Sequence, residues 1–162
     1  MTTSRKAELR KTLCKDLEAE IEQMIRIAKD AADAVTHEDH KPEGDKAMRS
    51  SEASYVARGQ AGRVQDLSRS LTMVGGMELI AFREGTPIET SALVVVEQGQ
   101  KRTTYFLVPA AGGRRIATDR GEVLTLTTTS PLGEALLGSE AGDDIELQTP
   151  QGLRKTRIVS VE

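Results

Sequence analysis

Four carboxylates lie close together in one short segment of the chain. The stretch from Thr36 to Lys46 contains Glu38, Asp39, Glu43 and Asp45. Carboxylate oxygens are the ligands that hard divalent cations such as Mg²⁺ prefer in proteins. Acidic residues are also common in solvated turns, and the segment taken alone is more typical of such a turn. The four residues are therefore candidate metal ligands. The sequence on either side of them is needed to choose between a metal site and a solvated turn.

A long apolar repeat precedes the acidic segment. Its members recur at steps of three or four residues and are Leu9, Leu13, Leu17, Ile21, Met24, Ala28, Ala31 and Val35. This spacing predicts a helix from Ser4, as its N-cap, to Thr36, with the apolar residues forming a coiled-coil seam. The seam changes from leucine to alanine towards the acidic segment, which predicts a hairpin that is slimmest at its tip.

A second apolar repeat follows the acidic segment. Pro42 suits the first turn of a helix, and the repeat predicts that this helix runs to about Val74. Its seam is clearest at Val64, Leu67, Leu71 and Val74. Gly59 and Gly62 are predicted to permit a close approach of the two helices, or alternatively to kink the second helix. Because proline and glycine forbid one continuous helix, the chain reverses between the repeats and places the acidic residues at the far end of an antiparallel hairpin.

The pattern changes after Gly75-Gly76, and from Met77 onward the chain is β-like. Strands are predicted at 92–97, 102–108, 123–129, 144–149 and 155–161. One short helix interrupts them, with Ser130 as N-cap, Pro131 at the first position and Gly138 as the stop signal. The chain is therefore predicted to be an α+β protein, with a coiled-coil finger at 1–75, its acidic tip near 37–46, and a small β-sheet domain with one short helix at 76–162.

Composition excludes several classes of protein. The formal net charge is −3 and aromatic residues make up 2% of the chain. Free duplex DNA is an improbable partner for such a chain, and a stacking platform for single-stranded nucleic acid lacks the aromatic faces that it needs. The single Cys14 indicates a reducing compartment without a disulfide framework. With no signal peptide or membrane span in the pattern, we expect a cytoplasmic protein that does not contact membranes.

The final fifth of the chain carries a family resemblance. The segment Ser-Pro-Leu-Gly-Glu-Ala-Leu-Leu-Gly at 130–138, the Pro-Gln-Gly turn at 150–152 and a last strand ending in Val161-Glu162 resemble the end of the bacterial Gre transcript-cleavage factors. Within the second helix, Ala53-Ser54-Tyr55 and the segment Gly62 to Leu67 are similar to further family motifs. The resemblance implies a coiled-coil finger followed by an FKBP-like domain, in the order predicted above.

The resemblance also implies a partner and a mechanism. Gre factors insert their finger into the secondary channel of bacterial RNA polymerase, where acidic tip residues help to hold a catalytic Mg²⁺ beside a backtracked transcript. The polymerase supplies the active site, so the factor is not itself an enzyme and meets the 3′ end of the nascent RNA only indirectly. The family tip reads G-D-x-x-E-N, and its two acids match Asp39 and Glu43 here, with Glu38 and Asp45 as substitutes. The globular domain is expected to supply most of the affinity for polymerase.

Two departures from the family tip leave the function open. The two matched acids are one residue further apart than in the family, and Gly44 stands where the family has asparagine. The protein is therefore expected either to stimulate cleavage or to occupy the channel as a non-cleaving regulator. Arg58 and Arg63 are weaker candidates for contacts with transcript phosphates. A prolyl isomerase, which the FKBP-like fold would also permit, is disfavoured because so few aromatic side chains are present.

Overall fold

The computed structural model describes the backbone of residues 2–37 and 43–162, and the side chains of residues 4–33 and 58–162. All structural statements below refer to these residues. In chain order the elements are α1 (Thr2–His37), α2 (Glu43–Gly75), β1 (Leu93–Gln98), β2 (Lys101–Val108), β3 (Arg115–Thr118), β4 (Gly121–Thr127), α3 (Pro131–Leu136), β5 (Asp144–Thr149) and β6 (Gly152–Val161).

The two long helices carry the predicted seam. Along α1 the leucines are buried, and the later described seam positions from Ile21 to Ala31 are half-buried. On α2, Leu67 and Val74 are buried. A Cβ atom at Gly75, the last residue of α2, would lie 4.0 Å from Sγ of Cys14 in α1. The end of α2 thus lies beside the early part of α1, which confirms the antiparallel pairing.

Two details of the helix predictions are wrong. Ser4 is not the N-cap, because α1 already begins at Thr2. Gly59 and Gly62 do not mediate close packing, because both are exposed and a Cβ at either position would meet nothing within 4 Å. The sequence shows that a glycine leaves room, but it does not show whether a neighbouring element uses that room.

The described strands form one mixed six-stranded sheet in the order β3-β4-β2-β1-β6-β5. The β2–β4 pair is parallel and the other neighbours are antiparallel. Five strands lie close to their predicted positions, and β3 was not predicted. Its sequence, Arg-Ile-Ala-Thr, has one buried apolar side chain and is separated from Gly112-Gly113 by one arginine only, so it resembles a polar loop. The β-like pattern predicted from Met77 yields no strand before Leu93.

The core of the sheet domain lies between the sheet and α3. Buried side chains on this face include Val94, Leu107 and Ile158 from the strands and Leu136 from α3. Residues of the opposite parity, such as Leu93 and Phe106, are buried as well. Successive strand residues point to opposite faces, so the sheet is covered on both sides.

The chain forms two compact units. One consists of residues 1–14 with 73–162, and the other of residues 15–72. The first turns of α1 are therefore part of the same unit as the sheet. The predicted domain boundary at residue 75 stays a prediction.

The contact between Cys14 and Gly75 offers a direct test of the hairpin. We expect that a Gly75→Cys variant forms a disulfide with Cys14 on mild oxidation, because the introduced Cβ lies 4.0 Å from Sγ of Cys14 and rotation of the two side chains can bring the sulfur atoms to bonding distance. The bond should raise the unfolding midpoint and shift the monomer on a non-reducing gel. Gly75→Cys in a Cys14→Ser background is the matched control. A bond that forms only between two chains would contradict the antiparallel pairing.

Candidate functional site

The acidic tip lies at the edge of what the structure describes. Glu38 and Asp39 lie outside the described residues. Glu43 and Asp45 lie in the first turn of α2, but their side chains are also outside the described part. Among the side chains of residues 4–33 and 58–162, no group of three or more metal-ligating residues lies together. The metal site at the tip therefore stays a prediction.

Arg58 and Arg63 are exposed on α2. Arg63 lines a shallow groove of about 560 Å³ together with Gly59, Gly62, Asp66, Leu67 and Ser70. These residues are spaced by one, three or four positions, so they share one side of the helix. Both side chains are accessible to an anion. No contact among the described residues fixes the position of either guanidinium group.

A buried cation at the start of α1 was missed by the sequence reasoning. Lys6 is completely buried, and its Nζ donates to the backbone oxygens of Ile80 and, at 3.1 Å, of Glu162. Nζ also lies 4.7 Å from the centre of the Phe82 ring, within the range of a cation–π contact. Lys6 precedes Leu9 by three residues, so the seam spacing, continued backwards, could have indicated that it faces inwards.

Burial lowers the pKa of Lys6 to about 8, while the Glu162 carboxylate raises it in part. The pKa in the unfolded chain is near 10.5, so between these two values the unfolded chain binds more protons than the folded one. The free energy of unfolding should therefore rise with pH in this window as far as Lys6 contributes to it.

The pH dependence is measurable by comparison with Lys6→Met. From pH 7 to pH 10, we expect the free energy of unfolding of the parent protein to increase relative to that of the variant, because methionine has no proton to release. Urea unfolding of both proteins at several pH values provides the measurement. A difference between the two proteins that stays constant with pH would show that the amine does not change its protonation on folding in this range.

The corner at residues 130–138 explains the motif that carried the resemblance. Ser130 caps α3: its Oγ accepts from the Gly133 N–H at 3.1 Å and donates to the Thr127 carbonyl at 2.7 Å. Gly138 has a positive φ of 79° and donates its N–H to the Ile88 carbonyl at 2.9 Å. The predicted cap, first-turn proline and stop are confirmed. The motif fixes α3 against the sheet, so its role is structural.

Gly133 makes the closest approach in this corner. A Cβ atom there would lie 2.0 Å from the carbonyl oxygen of Thr127. Backbone at such a distance has to move, and α3 is held in place by the hydrogen bonds of Ser130. No side chain is compatible with this position in the present geometry.

We expect Gly133→Ala to destabilise the protein by about 1–3 kcal/mol or more, as overpacking in a fixed site does. Gly59→Ala is the matched control, because that glycine lies in an exposed part of α2 with open space around it. The control should stabilise the protein by about 0.5–1 kcal/mol through helix propensity. Chemical unfolding of both variants measures the contrast, and equal effects would contradict the close approach at Gly133.

Comparison with known families defines the class of the sheet domain. Residues 87–162 match the family model described as "Transcription elongation factor, GreA/GreB, C-term". This range contains all six strands and α3. The resemblance to the Gre factors is thereby confirmed for residues 87–162, which are similar to the GreA/GreB C-terminal domain.

Individual relatives agree with this assignment. A protein of Syntrophobacter fumaroxidans named transcription elongation factor GreA is 34% identical over 102 residues, 62% of this chain and 61% of that protein. A Mesorhizobium japonicum protein of the same name is 27% identical over 143 residues, 87% of this chain and 84% of its own length. The chain thus spans about three fifths of the first of these relatives.

The solved structures that are similar to this chain include that of Thermus aquaticus Gfh1. It has 22% sequence identity and a TM-score of 0.40, with 91% of this chain and 92% of that chain covered. Thermus thermophilus Gfh1 has 20% identity and a TM-score of 0.36, with 92% and 94% covered. At this identity and TM-score, neither a site nor a function can be assigned to this chain from these structures.

None of the described helices is long and apolar enough to cross a membrane.

Proposed function

We propose that this protein is a transcription elongation factor that binds the secondary channel of bacterial RNA polymerase. The observation that carries the proposal is the match of residues 87–162 to the GreA/GreB C-terminal domain, together with relatives named as elongation factors. The two long helices that precede this domain supply the element that a narrow channel would admit. Such a factor works in the cytoplasm, on the polymerase and not on free duplex DNA.

The proposed activity is stimulation of transcript cleavage by the polymerase. Asp39 and Glu43 would help to hold a Mg²⁺ ion that the polymerase shares, with Glu38 and Asp45 as alternatives. The donor set consists of carboxylates, which suits this hard cation. When bound, the ion activates water and stabilises the leaving oxygen of the RNA. The chain completes the polymerase active site from outside and meets the 3′ end of the RNA only there, so it is not an enzyme by itself.

The remaining contacts divide between the two parts of the chain. We propose that the sheet domain provides most of the affinity for polymerase, while the tip provides chemistry. Arg58 and Arg63 remain weaker candidates for contacts with transcript phosphates, a role that cleavage by an Arg58→Gln, Arg63→Gln variant would test. Their exposure on α2 supports the candidacy.

A second candidate function is a non-cleaving regulator that occupies the channel. The observation that favours it is the tip sequence itself: Asp39 and Glu43 are four positions apart, one more than in the Gre pattern, and Gly44 replaces the asparagine. A longer spacing changes the reach of the second carboxylate towards the ion. Cleavage of RNA in backtracked elongation complexes distinguishes the two functions.

The test is cleavage of RNA in stalled, backtracked elongation complexes. Replacement of both Asp39 and Glu43 by alanine should lower the stimulated cleavage rate by about 10- to 100-fold, comparable to other losses of support at a metal site. Added Mg²⁺ should restore part of the rate, because the defect lies in metal affinity. The free energy of unfolding should change by no more than about 0.5 kcal/mol, because the sequence predicts both residues far from any core.

The matched control removes two carboxylates elsewhere on the finger. Asp16 and Glu18 are exposed on α1, and replacing both by alanine should leave cleavage unchanged. If the Asp39, Glu43 variant cleaves like the parent, these residues do not hold the ion and Glu38 and Asp45 become the candidates. If the parent binds polymerase but never stimulates cleavage, the non-cleaving regulator is the correct function.

A further inference from the structure

An open groove lies beside the start of α1. Its volume is about 650 Å³, within the usual range of about 300–1,000 Å³ for ligand pockets. One wall consists of Ser4, Arg5, Glu8, Leu9 and Thr12 of α1, and the other of residues 116–120, with Glu162 at one side. All of these residues belong to the compact unit that contains the sheet.

The second wall of the groove is the edge of the sheet. Residues 116–118 of β3 line it consecutively, followed by residues 119 and 120 of the next turn, whereas a face of a sheet would contribute alternate residues. Strand β3 is the outermost strand at this end of the sheet within the described residues. The groove therefore runs along the strand edge, where backbone groups have no neighbouring strand.

The hydrogen-bond pattern shows which groups of β3 point into the open space. Thr125 uses both its N–H and its C=O towards Arg114 and Gly113. Because these directions alternate along β4, the backbone N–H and C=O groups of Val123 also point towards β3. Those of its partner Ile116 point towards β4. The N–H and C=O groups of Arg115 and Ala117 consequently point away from the sheet, into the space that a further strand would occupy.

Arg5 provides an unused donor on the opposite wall. Its side chain is 23% exposed, and its Nη1 lies 3.5 Å from a carboxylate oxygen of Glu162. Its Nε is buried and has no hydrogen-bond partner among the described residues. A buried donor without an acceptor costs free energy, so an acceptor brought by a ligand would relieve that cost.

The charges of the groove limit what can bind there. Arg5 and Arg120 are accompanied by the acids Glu8, Asp119 and Glu162, so a strongly acidic segment would be repelled. A second copy of β3 is also a poor occupant, because Arg115 is the only charged residue of the strand and it would bring a cation, not an acceptor, towards Arg5. An extended segment whose only charged group is one carboxylate satisfies both limits.

We propose that this groove binds an extended segment of a partner protein, which adds to β3 as a further strand and places one carboxylate on Arg5. Addition of a strand to an open sheet edge is a common mode of peptide recognition, in which backbone hydrogen bonds give affinity and side-chain positions give specificity. Leu9 and Ile116, which are buried under the groove, supply its apolar floor. The proposal does not depend on the proposed function in transcription.

The test uses the full chain and a displayed library of random ten-residue peptides, followed by synthesis of the enriched sequences. Ala117→Pro removes the outward N–H from the edge and leaves the β3–β4 ladder intact, because proline is tolerated where the N–H faces solvent. We expect the enriched peptides to bind this variant about tenfold or more weakly, as for the loss of one hydrogen bond together with disturbed pairing.

Glu146→Pro is the matched control, since it makes the same change at the other edge of the same sheet. In β5 the partner of Ile145 is Thr156, which has the same parity as Ile158, and Ile158 bonds towards residues 142 and 143. Glu146 therefore also points its N–H outward, and its replacement should leave peptide binding unchanged. Amide spectra of both variants establish that each is folded.

The role of Arg5 is tested by changing both partners. Exchange of the acidic residue in an enriched peptide for its amide should weaken binding to the parent protein several-fold and should matter less for Arg5→Lys, which lacks Nε. Equal binding to Ala117→Pro and Glu146→Pro, or a library without enriched peptides, would overturn the proposal. Self-association of the parent that Ala117→Pro abolishes would identify a second copy as the occupant and would overturn it as well.

Discussion

A buried lysine at the start of α1 connects three segments that lie far apart in the sequence. Burying an ammonium group is unfavourable unless hydrogen bonds and nearby charges compensate it. Lys6 meets this condition with the backbone oxygens of Ile80 and Glu162 and with the ring of Phe82. Arg10 adds a 2.7 Å hydrogen bond to the Met77 carbonyl. These contacts hold the first turns of α1 in the sheet unit, and thereby set the position of Arg5 and of the groove wall.

The elements that could be predicted from the sequence are those with local signals. The leucine spacing of α1 has a helical period, and the Ser130 cap, Pro131 and Gly138 mark the two ends of α3 within nine residues. Such signals depend on neighbouring residues along the chain and are therefore visible without the fold. The GreA/GreB likeness was also visible, because the α3 corner imposes a close approach at Gly133 and hydrogen bonds at Ser130 that few other residues permit.

The features that could not be predicted depend on distant partners. Strand β3 is a strand because β4 pairs with it, and its own four residues do not show this. Lys6 is buried because the chain at residues 80 and 162 returns to it, whereas a lysine near a helix start is ordinarily solvated. The candidate metal site was predicted from composition and resemblance, and its side chains lie outside the described residues. Gly59 and Gly62 show the converse case. These glycines predicted close packing of the helices, but both are exposed and no neighbouring element among the described residues packs against them.

The closure of the sheet unit by Glu162 affects the order in which the chain can fold during synthesis. Lys6 and Glu162 are 156 residues apart, and Glu162 also exchanges two backbone hydrogen bonds with Leu93. Helices form in about a microsecond, whereas ribosomes add about 5–20 residues per second. Residues 15–72 can therefore pair as helices while the strands are still being made. The buried site of Lys6 stays incomplete until β6 has been synthesised, so this lysine remains in solvent for seconds after α1 has formed.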